Sequence, residues 1–351
     1  MTSPQTPSHI DVDEAVRRAD GLIDPTVSYQ SDNQLVIEGE LRRPPDEAYE
    51  ELQRRFVNTN LVPLLQETED GRPALVLARK NKLPEPAQTT RRAWVNLALL
   101  LATLATTTWA GALHEGVNLL AEPGRIMAGL PYALALMLIL GAHELGHYFT
   151  ARRYGIDVSL PYFIPIPFAL GTFGAFIKMK SLSPTRRAAF DVAVAGPLAG
   201  LAVAVPALLI GLQYSEVVST GQAPPMMMGG ADAGSSLLFA LLAKIALGEA
   251  VLEGHRLVLH PVAFAGWLGL LVTALNLMPV GQLDGGHMAH ALLGRRRAYS
   301  AGVATLVALV ILGLFVWGGL LVWGLLICFI AGRRDAPPLI DVSRLVLGPV
   351  V

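Results

Sequence analysis

Long apolar runs separated by short polar stretches occupy the chain after residue 92. Six of them predict membrane-spanning helices, at residues 93–113, 129–151, 188–212, 261–282, 299–315 and 317–332. A helix needs about 20 apolar residues to cross the hydrocarbon core, and the last two runs are somewhat shorter. The pattern predicts a polytopic α-helical membrane protein with about six transmembrane helices.

The first 92 residues follow a different periodicity. Alternating apolar and polar positions predict strands over residues 35–41, 61–66 and 74–78, and a helical pattern begins at Pro45. The resulting β-α-β-β order predicts a small soluble α+β domain that carries no catalytic constellation. We expect it to regulate the protein or to bind a partner, with a solubilising appendage as the alternative.

The density of charged residues falls sharply after residue 92, where the long apolar runs begin. Residues 1–92 hold 28 of the 55 charged side chains, and Pro84 and Pro86 mark a linker. The expected divisions are a disordered tail at 1–24, a soluble α+β regulatory domain at 25–82, a linker at 83–92, a membrane core at 93–332 and a cytoplasmic tail at 333–351.

The distribution of charge bears on partners and topology. The net charge of −1 and the pI of about 6.7 give no electrostatic footprint for nucleic acid, so no nucleic-acid partner is expected. Basic residues instead cluster at the ends of the apolar runs, at 79–82, 91–92, 152–153, 186–187, 295–297 and 333–334. All clusters fall on one side of the membrane if both termini are cytoplasmic. Because the first 20 residues lack the apolar core of a signal peptide, we expect the front domain to remain in the cytoplasm. The expected location is a bacterial inner membrane, with both termini on the cytoplasmic side.

Ionisable residues inside the second apolar run carry the strongest chemical signal. His143, Glu144 and His147 form an H-E-x-x-H pentad, whose two imidazoles project from one face of a helix and can bind a single cation. His143 precedes Arg152 by nine residues, which places it about 13 Å inside the cytoplasmic interface. Ionisable groups at such depth are costly and indicate function. The single cysteine, Cys328, excludes a thiolate zinc site.

Two histidines leave a hydrolytic zinc site one ligand short. Asp284 is the only acid in the stretch 275–286, at the end of the fourth apolar run, where Pro279, Gly281 and Gly285 prevent a regular helix. Irregular backbone at membrane depth is tolerated where it lines a cavity or is buried in protein. Asp284 is therefore the candidate third ligand, and a helix N-cap is an alternative that is compatible with ligation.

The two motifs together resemble a known family. H-E-x-x-H followed by N-x-x-P-x-x-x-x-D-G, present here as Asn276, Pro279, Asp284 and Gly285, is similar to the site-2 protease family of intramembrane zinc metalloproteases, peptidase family M50. The resemblance covers roughly residues 93–332. The stretches 171–178 and 195–200, with the soluble front domain, look most like the cyanobacterial and plastid branch.

The resemblance implies specific roles. His143, His147 and Asp284 would bind one Zn²⁺ per chain, Glu144 would be the catalytic base, and Asn276 would assist near the reacting carbonyl. The implied activity is zinc-dependent endopeptidase cleavage in or near the transmembrane helices of single-pass membrane proteins, within the lipid bilayer, as in regulated intramembrane proteolysis. No further cofactor is implied, and the oligomeric state is unknown.

Two other functional classes are compatible with buried histidines and an aspartate. A membrane metal transporter would hold such ligands within its bundle, and a catalytically inactive scaffold would retain the fold alone. Glu144 argues against both, because a transport site needs no carboxylate that does not bind the metal. His287 and His290 follow Asp284 at helical spacing and are interpreted either as hydrogen-bonding partners of the ligands or as packing residues.

Residues 156–180 are too irregular for a helix, because Pro161, Pro165 and Pro167 interrupt them. A membrane-associated β-hairpin beside the site is one interpretation, and its edge would suit pairing with an extended substrate. A purely structural re-entrant loop is the other.

Overall fold

The computed structural model describes residues 12–31, 34–68, 72–79, 93–167, 169–180, 183–219, 230–231, 237–248, 255–315 and scattered positions between 318 and 327. The soluble part contains α1 (Val12–Ala19), β1 (Ile23–Ser31), β2 (Gln34–Leu41), α2 (Pro45–Phe56), β3 (Leu61–Glu67) and β4 (Pro73–Arg79). The remainder contains α3 (Ala93–His114), a 3-10 turn (Pro123–Ala128), α4 (Leu130–Arg153), β5 (Tyr162–Pro165), β6 (Thr172–Phe176), α5 (Arg186–Gln213), β7 (Glu216–Ser219), β8 (Gly230–Ala231), α6 (Leu237–Leu247), β9 (His255–Val258), α7 (Pro261–Asn276), α8 (Asp284–Leu293) and α9 (Arg295–Phe315).

The soluble domain is a four-stranded antiparallel sheet in the order β1-β2-β4-β3, with a core shared with α1 and α2. Leu35, Ile37 and Leu77 are fully buried in that core beside Leu52 and Phe56 of α2. The predicted β-α-β-β segment is therefore present as β2-α2-β3-β4.

The prediction of a disordered tail over residues 1–24 is wrong for residues 12–24, which the structure describes as ordered. Residues 12–19 form α1 and β1 begins at Ile23, while residues 1–11 lie outside the described residues. Backbone carbonyls fasten α1 to α2: Arg18 donates to the carbonyl of Arg55 over 2.6 Å, and Arg55 donates to that of Arg18 over 3.0 Å. These contacts order a helix that is too short to be stable alone.

Three described helices are long and apolar enough to cross a membrane, namely Ala93–His114, Arg186–Gln213 and Arg296–Phe315. The expectation of about six spans is not confirmed. α4 is long enough, but the charged residues of its second half lower its hydropathy. α7 ends at Asn276, six residues before the predicted boundary at 282, because the Pro279–Gly281 region cannot continue it. The predicted 317–332 span lies mostly outside the described residues.

The central helices of the membrane part pack around one apolar core. α4 contacts both α5 and α7, and α5 also contacts α8. Tyr132 and Ile139 of α4, Leu208 of α5 and Ala263 of α7 are buried in this cluster. The second half of α4 therefore faces α5 and the start of α8. Between α5 and α7 the structure adds α6 and a small antiparallel sheet in the order β7-β9-β8, neither of which was predicted.

The segment 156–180 contains a β-hairpin, which is one of the two structures that the sequence suggested. β5 and β6 pair antiparallel, with Tyr162 opposite Phe176 and Phe163 opposite Ala175. An isolated bridge between Val158 and Met179 extends the pairing toward the base. The hairpin lies against α3 through β5 and against α4 through β6.

Candidate metal centre

Helical spacing on α4 brings two imidazoles together. His143 and His147 are one turn apart and buried, and their Nε2 atoms lie 3.1 Å from each other. Two ring nitrogens at this distance are suited to sharing one cation, because each neutral imidazole offers a single lone pair.

Asp284 joins the two histidines as the first residue of α8. Its Oδ2 lies 3.2 Å from Nε2 of His143, and its Oδ1 lies 3.3 Å from Nε2 of His147. The N-cap alternative is not confirmed, because Leu283 occupies that position. The start of α8 packs closely on the preceding loop, because a Cβ at Gly285 would lie only 2.1 Å from the carbonyl oxygen of Leu277. Only glycine allows the α8 backbone to come this close to the loop, and this close packing sets the position of Asp284.

The three side chains have the geometry of a metal site. Their ligand atoms, one from each residue, all lie within 4.8 Å of one another. The two imidazole Nε2 atoms are 3.1 Å apart, and they lie 3.2 and 3.3 Å from two different oxygens of the Asp284 carboxylate. A tetrahedral zinc with ligands at about 2.0–2.1 Å requires ligand atoms about 3.3 Å apart. These three side chains, the ligand triangle, can therefore supply three ligands to one zinc, and such a site leaves a fourth position for water or substrate.

A backbone carbonyl orients His147. Its Nδ1 lies 2.7 Å from the carbonyl oxygen of Val192 on α5. Because a carbonyl oxygen only accepts, this bond places the ring proton on Nδ1 and leaves the Nε2 lone pair directed at Asp284 and His143.

Two glycines of α5 leave room for the imidazoles. A Cβ at Gly196 would lie 2.1 Å from Nε2 of His147, and one at Gly200 would lie 3.2 Å from Nδ1 of His143. On the other side, a Cβ at Gly146 of α4 would lie 2.5 Å from the carbonyl oxygen of Ala195. Small residues at this spacing let two membrane helices approach closely, and here they place the histidines against α5.

We expect Gly196→Ala to displace the His147 ring and to lower metal affinity about ten-fold or more, the range for lost support of a ligand. Overpacking should also cost about 1–3 kcal/mol of stability. Metal titration and thermal unfolding measure the two effects. Gly141→Ala is the control, since its Cβ would meet only the Phe163 ring at 4.0 Å. Gly200→Ala should be intermediate, and equal metal affinity in all three variants would contradict this packing argument.

Glu144 lies beside the centre without joining the ligand triangle. It is buried next to His143, and its carboxylate interacts electrostatically with both histidines and Asp284. The hairpin contacts the same helix, because β6 packs on α4.

The remaining candidates lie farther along the same loop and helix. Asn276 is the last residue of α7 and is half-buried, and it is not among the three grouped ligands. His287 and His290 lie on α8, three and six residues after Asp284. Each of these two histidines has an interaction partner, and neither belongs to the group of three ligands.

The fold and the site together define a membrane protein with a buried His-His-Asp centre that suits zinc. The description "Peptidase family M50" matches residues 131–317, which is more than half of the chain. The chain therefore belongs to peptidase family M50.

Several curated relatives of this chain are named as probable zinc metalloproteases. The chain is 32% identical over 348 residues to "Probable zinc metalloprotease EGY1, chloroplastic" of Arabidopsis thaliana, covering 88% of this chain and 62% of that protein. It is 31% identical over 289 residues to the corresponding EGY2, covering 80% and 51%. Identity to EGY1 of Oryza sativa subsp. japonica is 35% over 224 residues, covering 62% and 37%. The chain thus spans less than two thirds of each of these relatives. No solved structure matches it.

Three contributors to the site were not assigned a role from sequence. The carbonyl of Val192 carries no signal, because any residue type supplies it. Gly196 and Gly200 lie in the stretch 195–200 that supported the family resemblance, and their four-residue spacing is a recognisable signal for close helix packing.

Proposed function

We propose that this protein is a zinc-dependent intramembrane endopeptidase. The observation that carries the proposal is the ligand triangle of His143, His147 and Asp284, whose ligand atoms lie within 4.8 Å of one another, next to the buried carboxylate of Glu144. Membership of a peptidase family and relatives named as probable zinc metalloproteases support it.

His143, His147 and Asp284 would hold a single Zn²⁺. Zinc bound there supplies Lewis acidity, which activates a water molecule and polarises the carbonyl of the scissile bond. The two imidazoles are neutral donors and Asp284 contributes one negative charge, so the set retains net positive charge at the centre. No other cofactor is needed for hydrolysis.

Glu144 would handle the protons of the reaction. As water adds to the carbonyl carbon, the carboxylate takes one proton, and it returns that proton to the leaving nitrogen when the C–N bond breaks. The Glu144 side chain is buried beside the ligands on the same helix. Asn276 would donate from its side-chain amide to the developing oxyanion, which stabilises the transition state.

The open side of the hairpin would hold the substrate. Among the described strands, β6 pairs only with β5, and we place an extended peptide along its other edge. Backbone hydrogen bonds from that edge would hold a substrate segment extended, and an extended segment exposes the peptide carbonyl that a helix conceals.

The proposed substrates are single-pass membrane proteins cleaved in or near their transmembrane helices, as in regulated intramembrane proteolysis. A site buried between α4, α5 and α8 is suited to segments that arrive through the lipid bilayer. No nucleic acid is involved in this proposal.

A cleavage assay in lipid vesicles tests the proposed function. The full-length protein is reconstituted with candidate single-pass substrates, and products are followed with and without a zinc chelator. We expect cleavage to stop on chelation and to resume when zinc is restored. Cleavage that is indifferent to zinc would contradict the proposal. Zinc passage across sealed vesicles without any cleavage would favour a metal transporter, and neither activity in a zinc-loaded protein would favour an inactive scaffold.

The front domain is proposed to select substrates without taking part in bond cleavage. The described residues of that domain include no group of His, Cys, Asp or Glu that could hold a metal, and the Pro84–Pro86 segment joins it to the core. A chain beginning at Ala87 should therefore keep its zinc and cleave an unfolded model peptide at close to the full-length rate.

Its preference among native membrane substrates should change, which competition between two substrates would measure. Full-length protein from the same preparation is the control. A truncated protein that is folded and zinc-loaded but inactive on every substrate would make the front domain part of the catalytic machinery.

The proposed location is a bacterial inner membrane with both termini in the cytoplasm. The basic clusters support the orientation, whereas the compared relatives are named as chloroplastic. Labelling of the two ends from either side of sealed vesicles tests it, and ends on opposite sides would contradict it.

A further inference from the structure

The β5–β6 hairpin is attached to α3 at both of its ends. At the base, Nδ2 of Asn96 donates to the carbonyls of Leu160 and Pro161, over 3.1 and 2.9 Å. At the tip, the hydroxyl of Thr106 donates to the carbonyl of Gly171 over 2.7 Å. Ten residues of helix correspond to about 15 Å, so α3 supports the hairpin along its length.

The tip is also held from α4 and by direct packing. The hydroxyl of Tyr132, which is fully buried, donates to the carbonyl of Leu170 over 3.0 Å. Gly171 adopts a φ of 81°, and a Cβ there would lie 2.5 Å from Cα of Thr107. The turn therefore rests directly on the α3 backbone.

These bonds lie on the side of the hairpin that faces away from its open edge. α3 packs mainly on β5, and β6 has no second strand partner among the described strands. β6 itself contacts α4, the helix that carries His143, Glu144 and His147.

We infer that α3 is the support that holds the β5–β6 hairpin against α4, the helix of His143, Glu144 and His147, with Asn96 and Thr106 as positioning residues for the substrate. The inference rests on the proposed function and extends it, since α3 precedes the residues 131–317 that match the family. A carbonyl that loses its donor in apolar surroundings must find another, so loss of these bonds shifts the hairpin.

Thr106→Val tests the tip of the support. Valine keeps the shape of threonine and removes the donor to Gly171. Thr108→Val is the matched control on the same helix, because the hydroxyl of Thr108 donates to the Leu104 carbonyl of α3 itself, over 2.7 Å. We expect Thr106→Val to raise KM for a membrane substrate about five-fold, the effect of one lost hydrogen bond. The kcat, the zinc content and all values for Thr108→Val should stay unchanged.

Asn96→Asp tests the base, because aspartate has the size of asparagine but no amide donor. It should change KM in the same direction as Thr106→Val. Hydrogen exchange of the backbone amides of residues 172–177 gives a readout independent of catalysis, and it should be faster in both variants than in the wild type and Thr108→Val.

The outcomes separate the inference from the proposed function. Faster exchange with a raised KM supports the inference. Unchanged exchange in both variants overturns it, whether or not the protein cleaves peptides. A KM equal to that of the wild type would also overturn it, because the bonds from α3 would then not affect substrate binding. Loss of zinc would overturn it as well, because the bonds would then stabilise the metal centre and not the position of the hairpin alone.

Discussion

Glu144→Gln should abolish peptide cleavage and leave the metal in place. Glutamine keeps the shape of the side chain but accepts no proton, and general acid–base catalysis typically contributes about 10²- to 10⁴-fold to a rate. His143, His147 and Asp284 remain to hold zinc. Turnover of a reconstituted substrate and zinc per chain are measured on the same preparation.

The control for this variant lies on the same helix. Leu145→Met changes the residue next to Glu144 at a position that is 40% exposed and outside the ligand triangle, so its turnover and zinc content should match the wild type. Wild-type turnover in Glu144→Gln would remove Glu144 from the role of base. Loss of zinc in the same variant would instead make Glu144 a ligand.

Asp284→Ala should lower zinc affinity by about 100-fold or more and abolish turnover with it. The two imidazoles that remain are too few for a hydrolytic zinc site, and loss of a ligand exceeds the 10- to 100-fold cost of losing a supporting partner. Zinc titration of the purified protein measures the effect. Wild-type affinity in this variant would place the third ligand elsewhere, with His287 and His290 as the next residues to replace.

Asn276→Ala is the matched comparison for Asp284→Ala. Asn276 lies at the other end of the same loop and is not one of the grouped ligands. It should retain zinc and turn over about 10²- to 10³-fold more slowly, as expected for a lost oxyanion donor. If zinc is lost in both variants, the loop acts as one structural unit and the separate role of Asn276 is wrong.

The parts of the molecule that local rules determine were predictable from sequence. His143 and His147 meet because an i, i+4 pair on a helix faces one way whatever surrounds it. Asp284 could be singled out because it was the only acid in a segment whose prolines and glycines exclude a regular helix. The alternation around Ile37 correctly predicted a strand, because one face of β2 is buried against α1 and α2.

Elements that depend on distant partners escaped prediction. α1 is short and is held by the reciprocal bonds of Arg18 and Arg55, 37 residues apart. β1 is an edge strand that is exposed from Asp24 onward, so it shows no alternation, and its pairing with β2 holds it in place. The end of α7 was also predicted six residues too late, because the Pro279–Gly281 region stops the helix although the apolar pattern continues.

The central claim is that His143, His147 and Asp284 hold one zinc ion, and zinc X-ray absorption of the full-length Glu144→Gln protein tests it most directly. The measurement counts the metal per chain and identifies its nearest atoms. We predict one zinc per chain, with two imidazole nitrogens and a carboxylate oxygen at about 2.0–2.2 Å. A spectrum without imidazole scattering, or a protein that contains no zinc and binds none when it is supplied, would contradict the account.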